Sequence, residues 1–133
     1  METNKLLSTF EKVSDTTFYN SQPTAKYDIL HLKDKNENLL LFNSIQIDSL
    51  NNKKYKILDV LKLPIQEDDL FITIGYCDKL NQNEGNIIAL VKKTKDIKIQ
   101  NIEALWLANT KTKVIEELND VTGIECFNEF YMN

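Results

Sequence analysis

The pattern of hydrophobic and polar positions changes its period near residue 27. Before that point, four apolar residues fall on one stripe of a 3.6-residue helix: Leu6, Leu7, Phe10 and Val13. Their spacing predicts an amphipathic helix over residues 3–14. The polar residues that dominate 15–26 predict a connector between this helix and the rest of the chain.

From residue 27 onward, short runs rich in Ile, Leu, Val and aromatic residues alternate with polar clusters, which is typical of β-strands and turns. Up to seven strands are predicted, over 27–33, 39–47, 54–63, 70–78, 87–95, 97–108 and 113–118. The intervals between them are too short for the helical crossovers that parallel strands need. The sheet is therefore predicted to be antiparallel.

Two of these strands are apolar on both faces, because both alternating sets of side chains in 70–78 and 102–108 are largely hydrophobic. A strand buried on both faces needs a covering layer, either a second sheet or the N-terminal helix. We expect 70–78 to be central in its sheet for this reason.

Two segments fit either a helix or a strand. Residues 53–63 place apolar side chains at helical spacing and precede Pro64, yet they also fit a strand. The tail over 124–131 has the same ambiguity, because its aromatic residues fit a short helix while its alternating Glu residues fit an edge strand.

Together these patterns predict one α+β domain, mainly β, that spans residues 1–133. The N-terminal helix packs on an antiparallel sheet, a sandwich or half-open barrel of about six to seven strands within 27–118. A strand or short helix follows in 119–133. At 133 residues and 42% hydrophobic, the chain can bury a core without metal ions or disulfides.

The charge balance changes the range of expected partners. All 16 basic residues are lysines and none is arginine, against 20 acidic residues, so the net charge is −4. Nucleic acid is disfavoured as a partner, because phosphate binding needs clustered cations and arginine is the usual bidentate reader of guanine.

Targeting and redox signals point to the cytoplasm. The N-terminus lacks the apolar run of a secretory signal, and the longest apolar stretch, 87–91, is far too short to cross a membrane. Cys77 and Cys126 lie in apolar stretches and lack neighbours at metal-ligand spacing. We therefore expect two buried free thiols, with a single disulfide as the alternative, and no membrane partner.

The sequence contains few residues that could support catalysis. His31 is the only histidine, so a mechanism that uses a His base depends on that one side chain. The acidic turn after Asp34 fails as a calcium loop, because Leu39 stands where such a loop needs glycine. Gly-rich phosphate-binding motifs are also missing. The prediction is no catalytic residue, no metal and no cofactor.

The function that the sequence favours is a non-catalytic protein-binding module, in its finer form an acidic, immunity-like protein that neutralises another, basic protein. Acidic turns and aromatic residues that could contact a partner or ligand are Asp34, Glu37, Tyr55, Asp68, Asp69 and Trp106. The alternative is a small-ligand-binding β-barrel or sandwich whose cavity is lined by Phe42, Phe71, Tyr76, Trp106 and Phe127. An enzyme that uses His31 ranks third.

Overall fold

Antiparallel strands form the regular structure of this protein in a computed structural model that describes residues 9–19, 26–79, 85–120 and 122–131. In the described residues the strands are β1 (Glu11–Tyr19), β2 (Lys26–Lys33), β3 (Glu37–Ile47), β4 (Lys53–Pro64), β5 (Leu70–Ile74), β6 (Cys77–Lys79), β7 (Gly85–Lys92), β8 (Ile102–Asn109), β9 (Val114–Leu118) and β10 (Ile124–Cys126).

These strands form three sheets. The first sheet has the order β1-β2-β3-β4, and the second sheet has the order β5-β7-β8-β9. Strands β6 and β10 form a small two-stranded sheet. All strand pairs of the described chain are antiparallel, which confirms the predicted sheet type.

The first and second sheets face each other across an apolar core. Alternation along each strand aims one set of side chains into this space. The buried members of this cluster are Tyr27, Ile29, Leu40 and Phe42 from the first sheet and Ile74, Ile88, Trp106 and Ala108 from the second sheet. The predicted covering layer is therefore a second sheet, and the architecture is a sandwich.

The other face of the second sheet is buried beneath the small sheet. The buried residues of this second cluster are Cys77, Ile87, Ala89, Val91, Ile99, Leu105, Leu107, Ile124 and Cys126. Strands β7 and β8 contribute to both clusters, which explains why their sequences are apolar on both faces. The inference that 102–108 is covered on both faces is confirmed.

The prediction of two free thiols is wrong, because Cys77 and Cys126 form a disulfide. The two residues are direct cross-strand partners in the pairing of β6 with β10. They lie 49 positions apart in sequence, so their proximity depends on a long-range strand pairing that local pattern does not reveal.

The predicted N-terminal helix over 3–14 is not supported. Residues 11–14 belong to β1, which pairs with β2 from Glu11 opposite Lys33 onward, while residues 3–8 lie outside the described residues. The predicted connector is wrong over 15–19, which continues β1, and residues 20–25 are not described. A register shift at Val13 interrupts the pairing of β1 with β2. Apolar and polar residues therefore do not alternate regularly along β1, and the sequence pattern does not indicate a strand there.

The predicted strand 70–78 is two strands. Gly75 has a φ of +85° and interrupts the run, so β5 stays in the second sheet while β6 joins the small sheet. Strand β5 is at the edge of its sheet, which corrects the prediction that it is central. Both ambiguous segments contain strands, β4 and β10, because each finds an antiparallel partner.

Candidate functional site

The topology brings two predicted acidic turns to the same end of the sandwich. The β2–β3 turn holds Asp34, and Glu37 then begins β3 opposite Pro64, the last residue of β4. The β4–β5 connection over 65–69 therefore starts beside the β2–β3 turn, and it contains Asp68 and Asp69. We call this end of the sandwich, formed by residues 34–37 and 65–69, the loop end.

Asp34 shapes its own turn. One of its carboxylate oxygens, Oδ1, accepts hydrogen bonds from the backbone N–H groups of Asn36 at 2.8 Å and Glu37 at 2.9 Å. This is the usual way in which an Asp side chain stabilises a tight turn. Asp34 and Glu37 are both half-buried, so each presents only part of its carboxylate to a partner.

Asp68 and Asp69 are more accessible. Both are exposed, and neither forms an ion pair with a described residue. The backbone carbonyl of Asp69 accepts a hydrogen bond of 2.8 Å from the N–H of Lys93, which holds this turn against the chain that follows β7. Two exposed carboxylates are thus presented on a fixed turn.

The loop end is not uniformly negative. Lys33 and Lys35 flank Asp34, while Lys92 ends β7 opposite Leu70 and Lys93 follows it. Acidic and basic groups therefore alternate around this end. A surface of this kind favours a partner with complementary patches of both signs over one attracted by net charge alone.

A broad depression of about 770 Å³ opens at the loop end. Its lining residues are Thr9, Glu11, Lys33, Asp34, Lys35, Asn36 and Ile65. Ile65 is exposed although it is fully apolar. The depression therefore combines charged groups with an accessible hydrophobic side chain, as the rims of protein interfaces do.

A narrower crevice of about 250 Å³ adjoins the depression and shares Lys33 and Ile65 with it. It lies between the first sheet and β5, and its lining residues are Val13, His31, Lys33, Asn38, Ile65, Gln66, Leu70, Phe71, Ile72 and Phe130. Phe130 is 67% exposed and meets Phe71 edge-on, with 5.2 Å between the ring centroids. The sequence does not mark Val13, Ile65 or Phe130 as site residues, because exposure is not visible in a local pattern.

His31 lies on the wall of the crevice and is only 5% exposed. Its Nε2 is 2.9 Å from Oδ1 of Asn38, and the Asn38 amide nitrogen Nδ2 donates a hydrogen bond of 3.1 Å to the carbonyl of Pro64. The Pro64 bond fixes the amide orientation, so Asn38 Oδ1 must accept a proton from His31. Nε2 therefore carries the hydrogen in the neutral ring.

The environment of His31 favours the neutral ring. Burial is the main cause that lowers its pKa below the usual value, and the charge of Lys33 acts in the same direction. The hydrogen-bond partner of the ring is an amide, whereas a catalytic histidine is usually paired with a carboxylate or a nucleophile. Neither cysteine can supply a thiolate, because both are in the disulfide.

The structure does not bring the other two predicted site residues to the loop end. Trp106 is 8% exposed and packs in the core between the sheets, so it serves the fold. Tyr55 is 55% exposed, but it pairs with Ile45 near the opposite end of β4. Nine residues separate it from Pro64, which corresponds to about 30 Å along a strand.

One polar pair escaped the sequence analysis. Asp28 and Asn43 are direct cross-strand partners on the outer face of the first sheet, and both are buried. The Oδ1 atom of each side chain has no hydrogen-bond partner. Burial, followed by the neighbouring carboxyl group of Asp15, raises the pKa of Asp28 to about 7. The only sequence signal was an Asp inside an apolar strand.

Among the residues that the structure describes, no group of three or more His, Cys, Asp or Glu side chains is arranged to hold a metal ion. The described ranges likewise contain no helix with the length and apolarity that a membrane crossing needs.

Comparisons with protein-family models, with curated proteins and with solved structures found no match.

Proposed function

We propose that this protein is a non-catalytic binding module whose loop end contacts another protein. In the finer form of the proposal, the partner presents a basic patch and the contact neutralises its activity, as an immunity protein does. Asp68 and Asp69 supply exposed carboxylates that form no ion pair within the described ranges, and these can make this contact. Ile65 and Phe130 supply exposed apolar surface beside them.

The observation that carries this proposal is the convergence of three features at one end of the sandwich. Four of the six predicted site residues, the depression and the crevice all lie there. Protein interfaces combine an apolar centre with a polar rim, and complementary charges on that rim steer association. The loop end offers both elements on a rigid sheet scaffold.

The test compares partner recovery by a site variant and a charge-matched control. We would reverse two charges at the loop end with Asp68→Lys and Asp69→Lys, and two elsewhere with Asp78→Lys and Glu117→Lys, all at exposed positions. Tagged proteins would be purified from the native cell, and the bound proteins identified by mass spectrometry. We expect a basic partner with the wild-type and control proteins, and its loss with the loop-end variant.

The same experiment can overturn the proposal. Recovery of the same partner by all three proteins would show that the loop end is not the interface. A second measurement uses salt, because attraction between exposed charges is screened as ionic strength rises. The affinity of the purified pair should fall between 50 and 300 mM salt, by roughly ten-fold if several charge pairs contribute.

The second candidate function is the binding of a small ligand. Of the five residues predicted to line a cavity, Phe71 lines the crevice, while Phe42 and Trp106 are packed in the core. The crevice is smaller than the roughly 300–1,000 Å³ of typical small-molecule sites. Its volume favours a small ring or a single side chain over a larger metabolite.

An enzyme that uses His31 remains the third candidate. It would require the ring to act as a base on a substrate in the crevice, without the carboxylate partner that usually orients such a base. A His31→Ala variant that keeps full biological activity would exclude this role.

The cytoplasmic location stays a prediction, and one observation counts against it. Disulfides persist mainly in secreted or periplasmic proteins and are rare in reducing compartments. Cys77 and Cys126 are both buried in the second core cluster, so their disulfide is part of that core. We therefore propose that the protein functions in a compartment where a disulfide is stable.

A further inference from the structure

The crevice contains a hydrogen-bond acceptor that no described residue uses. His31 Nε2 donates to Asn38, so in the neutral ring the second nitrogen, Nδ1, is an acceptor. Nδ1 forms no hydrogen bond with any residue that the structure describes. Because the ring lines the crevice, a molecule that enters it with an N–H or O–H group can supply the missing donor.

The walls of the crevice suit an aromatic ring. Leu70, Phe71 and Ile72 of β5 form one apolar side, and Phe130 stands at the opening. Phe71 and Phe130 already pack edge-on, which is a favourable geometry between aromatic rings. A third ring can stack against the exposed face of Phe130 while its edge reaches toward the first sheet.

Volume and location restrict the source of that ring. The crevice of about 250 Å³ accommodates roughly one large side chain, and it opens into the charged depression of the loop end. Interfaces commonly anchor on one Tyr or Trp side chain in such a pocket, surrounded by a polar rim.

We infer that the crevice receives one aromatic side chain of the partner that carries a hydrogen-bond donor, as tyrosine and tryptophan do, and that this donor bonds to Nδ1 of His31. This inference rests on the proposed function, because it identifies the anchor of the same interface. Phenylalanine fills the same space but leaves Nδ1 unpaired. The preference for a donor is therefore the distinguishing property of the site.

The test titrates the full chain with two matched probes, N-acetyl-tyrosinamide and N-acetyl-phenylalaninamide, at pH 7.5. Binding is followed by the ¹⁵N resonances of the backbone and of the His31 ring. We expect the tyrosine probe to bind about five-fold more tightly, the effect of one ordinary hydrogen bond. It should also shift the Nδ1 resonance, whereas the phenylalanine probe should shift only the backbone signals around the crevice.

Three variants test which residues determine the affinities of the two probes. His31→Phe keeps an aromatic ring but removes the acceptor, so the two probes should bind equally. Phe130→Ala removes an exposed wall and should weaken both probes to the same extent. Tyr55→Ala removes an exposed aromatic residue far from the crevice and should change neither affinity. If His31→Phe does not fold, the Nδ1 shift in the wild-type protein still decides the question.

Equal binding of the two probes to the wild-type protein, or an unchanged Nδ1 resonance, would overturn the inference. Its failure is distinguishable from failure of the proposed function. If the partner is lost with the Asp68→Lys/Asp69→Lys variant but retained by both Phe130→Ala and His31→Phe, the loop end is the interface and the crevice is not its anchor. In that case a tyrosine preference in the probe titration would not save the inference, because the inference requires the partner itself to occupy the crevice.

Discussion

At the scale of single residues, the most unusual group is the carboxyl of Asp28. It is 2% exposed and lies opposite Asn43, and neither Oδ1 atom has a hydrogen-bond partner. Burial penalises the charged carboxylate, and the hydrogen bond with Asn43 offsets only part of that penalty. That penalty, together with the nearby carboxyl of Asp15, raises the pKa of Asp28 to about 7.

A raised carboxyl pKa makes stability depend on pH in a defined direction. The folded protein holds a proton on Asp28 up to about pH 7, whereas the unfolded chain releases it near the ordinary value of 3.8. The folded state therefore binds more protons in this window, and the free energy of unfolding should fall as pH rises from about 4 to 7. Above pH 7 this effect should level off.

Asp28→Asn should remove most of that dependence. The neutral amide has the same shape but carries no charge at any pH, so the variant should be more stable than the wild-type protein at pH 8 by roughly 2 kcal/mol. Urea unfolding at pH 4.5, 6 and 8 measures the difference. Asp78→Asn, at an exposed position, is the control. A wild-type slope that persists in Asp28→Asn would contradict the prediction.

The residue scale also shows the limit of sequence patterns. The sequence identified Asp34 as a partner-binding candidate, but its carboxylate is engaged in closing the β2–β3 turn. Trp106 was a candidate because an aromatic side chain can contact a partner or ligand. In the structure it is a core residue. Residue type indicates what a side chain can do, whereas its exposure and partners depend on the fold.

At the scale of elements, a side-chain hydrogen bond joins the edges of the two large sheets. Asp59 of β4 accepts a hydrogen bond of 2.7 Å from the backbone N–H of Ile115 in β9 through Oδ2. Its Oδ1 accepts from the N–H of Val60 at 2.9 Å. Asp59 therefore links the edge strands of the two sheets on this side of the sandwich.

Removal of this link should destabilise the fold. Asp59→Ala leaves the N–H of Ile115 without its partner, and we expect a loss of about 1–3 kcal/mol in the free energy of unfolding. Asp59→Asn keeps an acceptor oxygen and should lose less. Amide hydrogen exchange at Ile115 should accelerate in Asp59→Ala. Unchanged exchange at Ile115 would indicate that the two edges are held together by other contacts.

Strand β4 is a long edge with exposed lysines. It has 12 residues and pairs only with β3 among the described strands. Lys54 and Lys56 are exposed near its start, beside the exposed ring of Tyr55. Lysine on an edge strand opposes pairing with a second molecule, because like charges would face each other. We therefore interpret Lys54 and Lys56 as residues that protect this edge from pairing with a second molecule.

The protective role has a direct test. Lys54→Thr with Lys56→Thr keeps strand propensity but removes both charges, so the variant should self-associate. Light scattering coupled to size-exclusion chromatography would detect an increase in mass at concentrations where the wild-type mass is unchanged. Lys93→Thr with Lys95→Thr removes the same charge outside β4 and should not change the mass. If the two double variants had the same mass, the lysines of β4 would not be what prevents self-association.

At the scale of the whole molecule, the disulfide closes a long covalent loop. It joins β6 to β10 across 49 positions and holds the C-terminal strand against the second core cluster. A crosslink of this kind restricts the unfolded chain, which raises the relative stability of the folded state.

Loss of the disulfide should therefore lower the free energy of unfolding by about 2–4 kcal/mol. The comparison is between the wild-type protein and the Cys77→Ser/Cys126→Ser variant in urea, each with and without reductant. Reductant should destabilise only the wild-type protein. Mass spectrometry of the alkylated protein checks the redox state directly, and a wild-type chain that purifies with two free thiols would contradict the bond.

The sequence by itself determined the strand-rich core of this protein. Alternation and β-branched residues located β2, β3, β7 and β9, whereas β4 stayed ambiguous between helix and strand, and the short intervals between strands required antiparallel pairing. These features are local, because the period of two and the length of a connection can be read within about ten residues. The acidic turns around Asp34 and Asp68 were visible for the same reason.

The tertiary structure alone decided which distant segments meet. It replaced the predicted helix by β1 over 11–14, joined Cys77 to Cys126, and placed His31 beside Phe130 in one crevice. Each of these outcomes depends on contacts between residues far apart in sequence, where the free energy of packing exceeds local preference. The end of the sandwich that we assign to partner binding exists only because those contacts form.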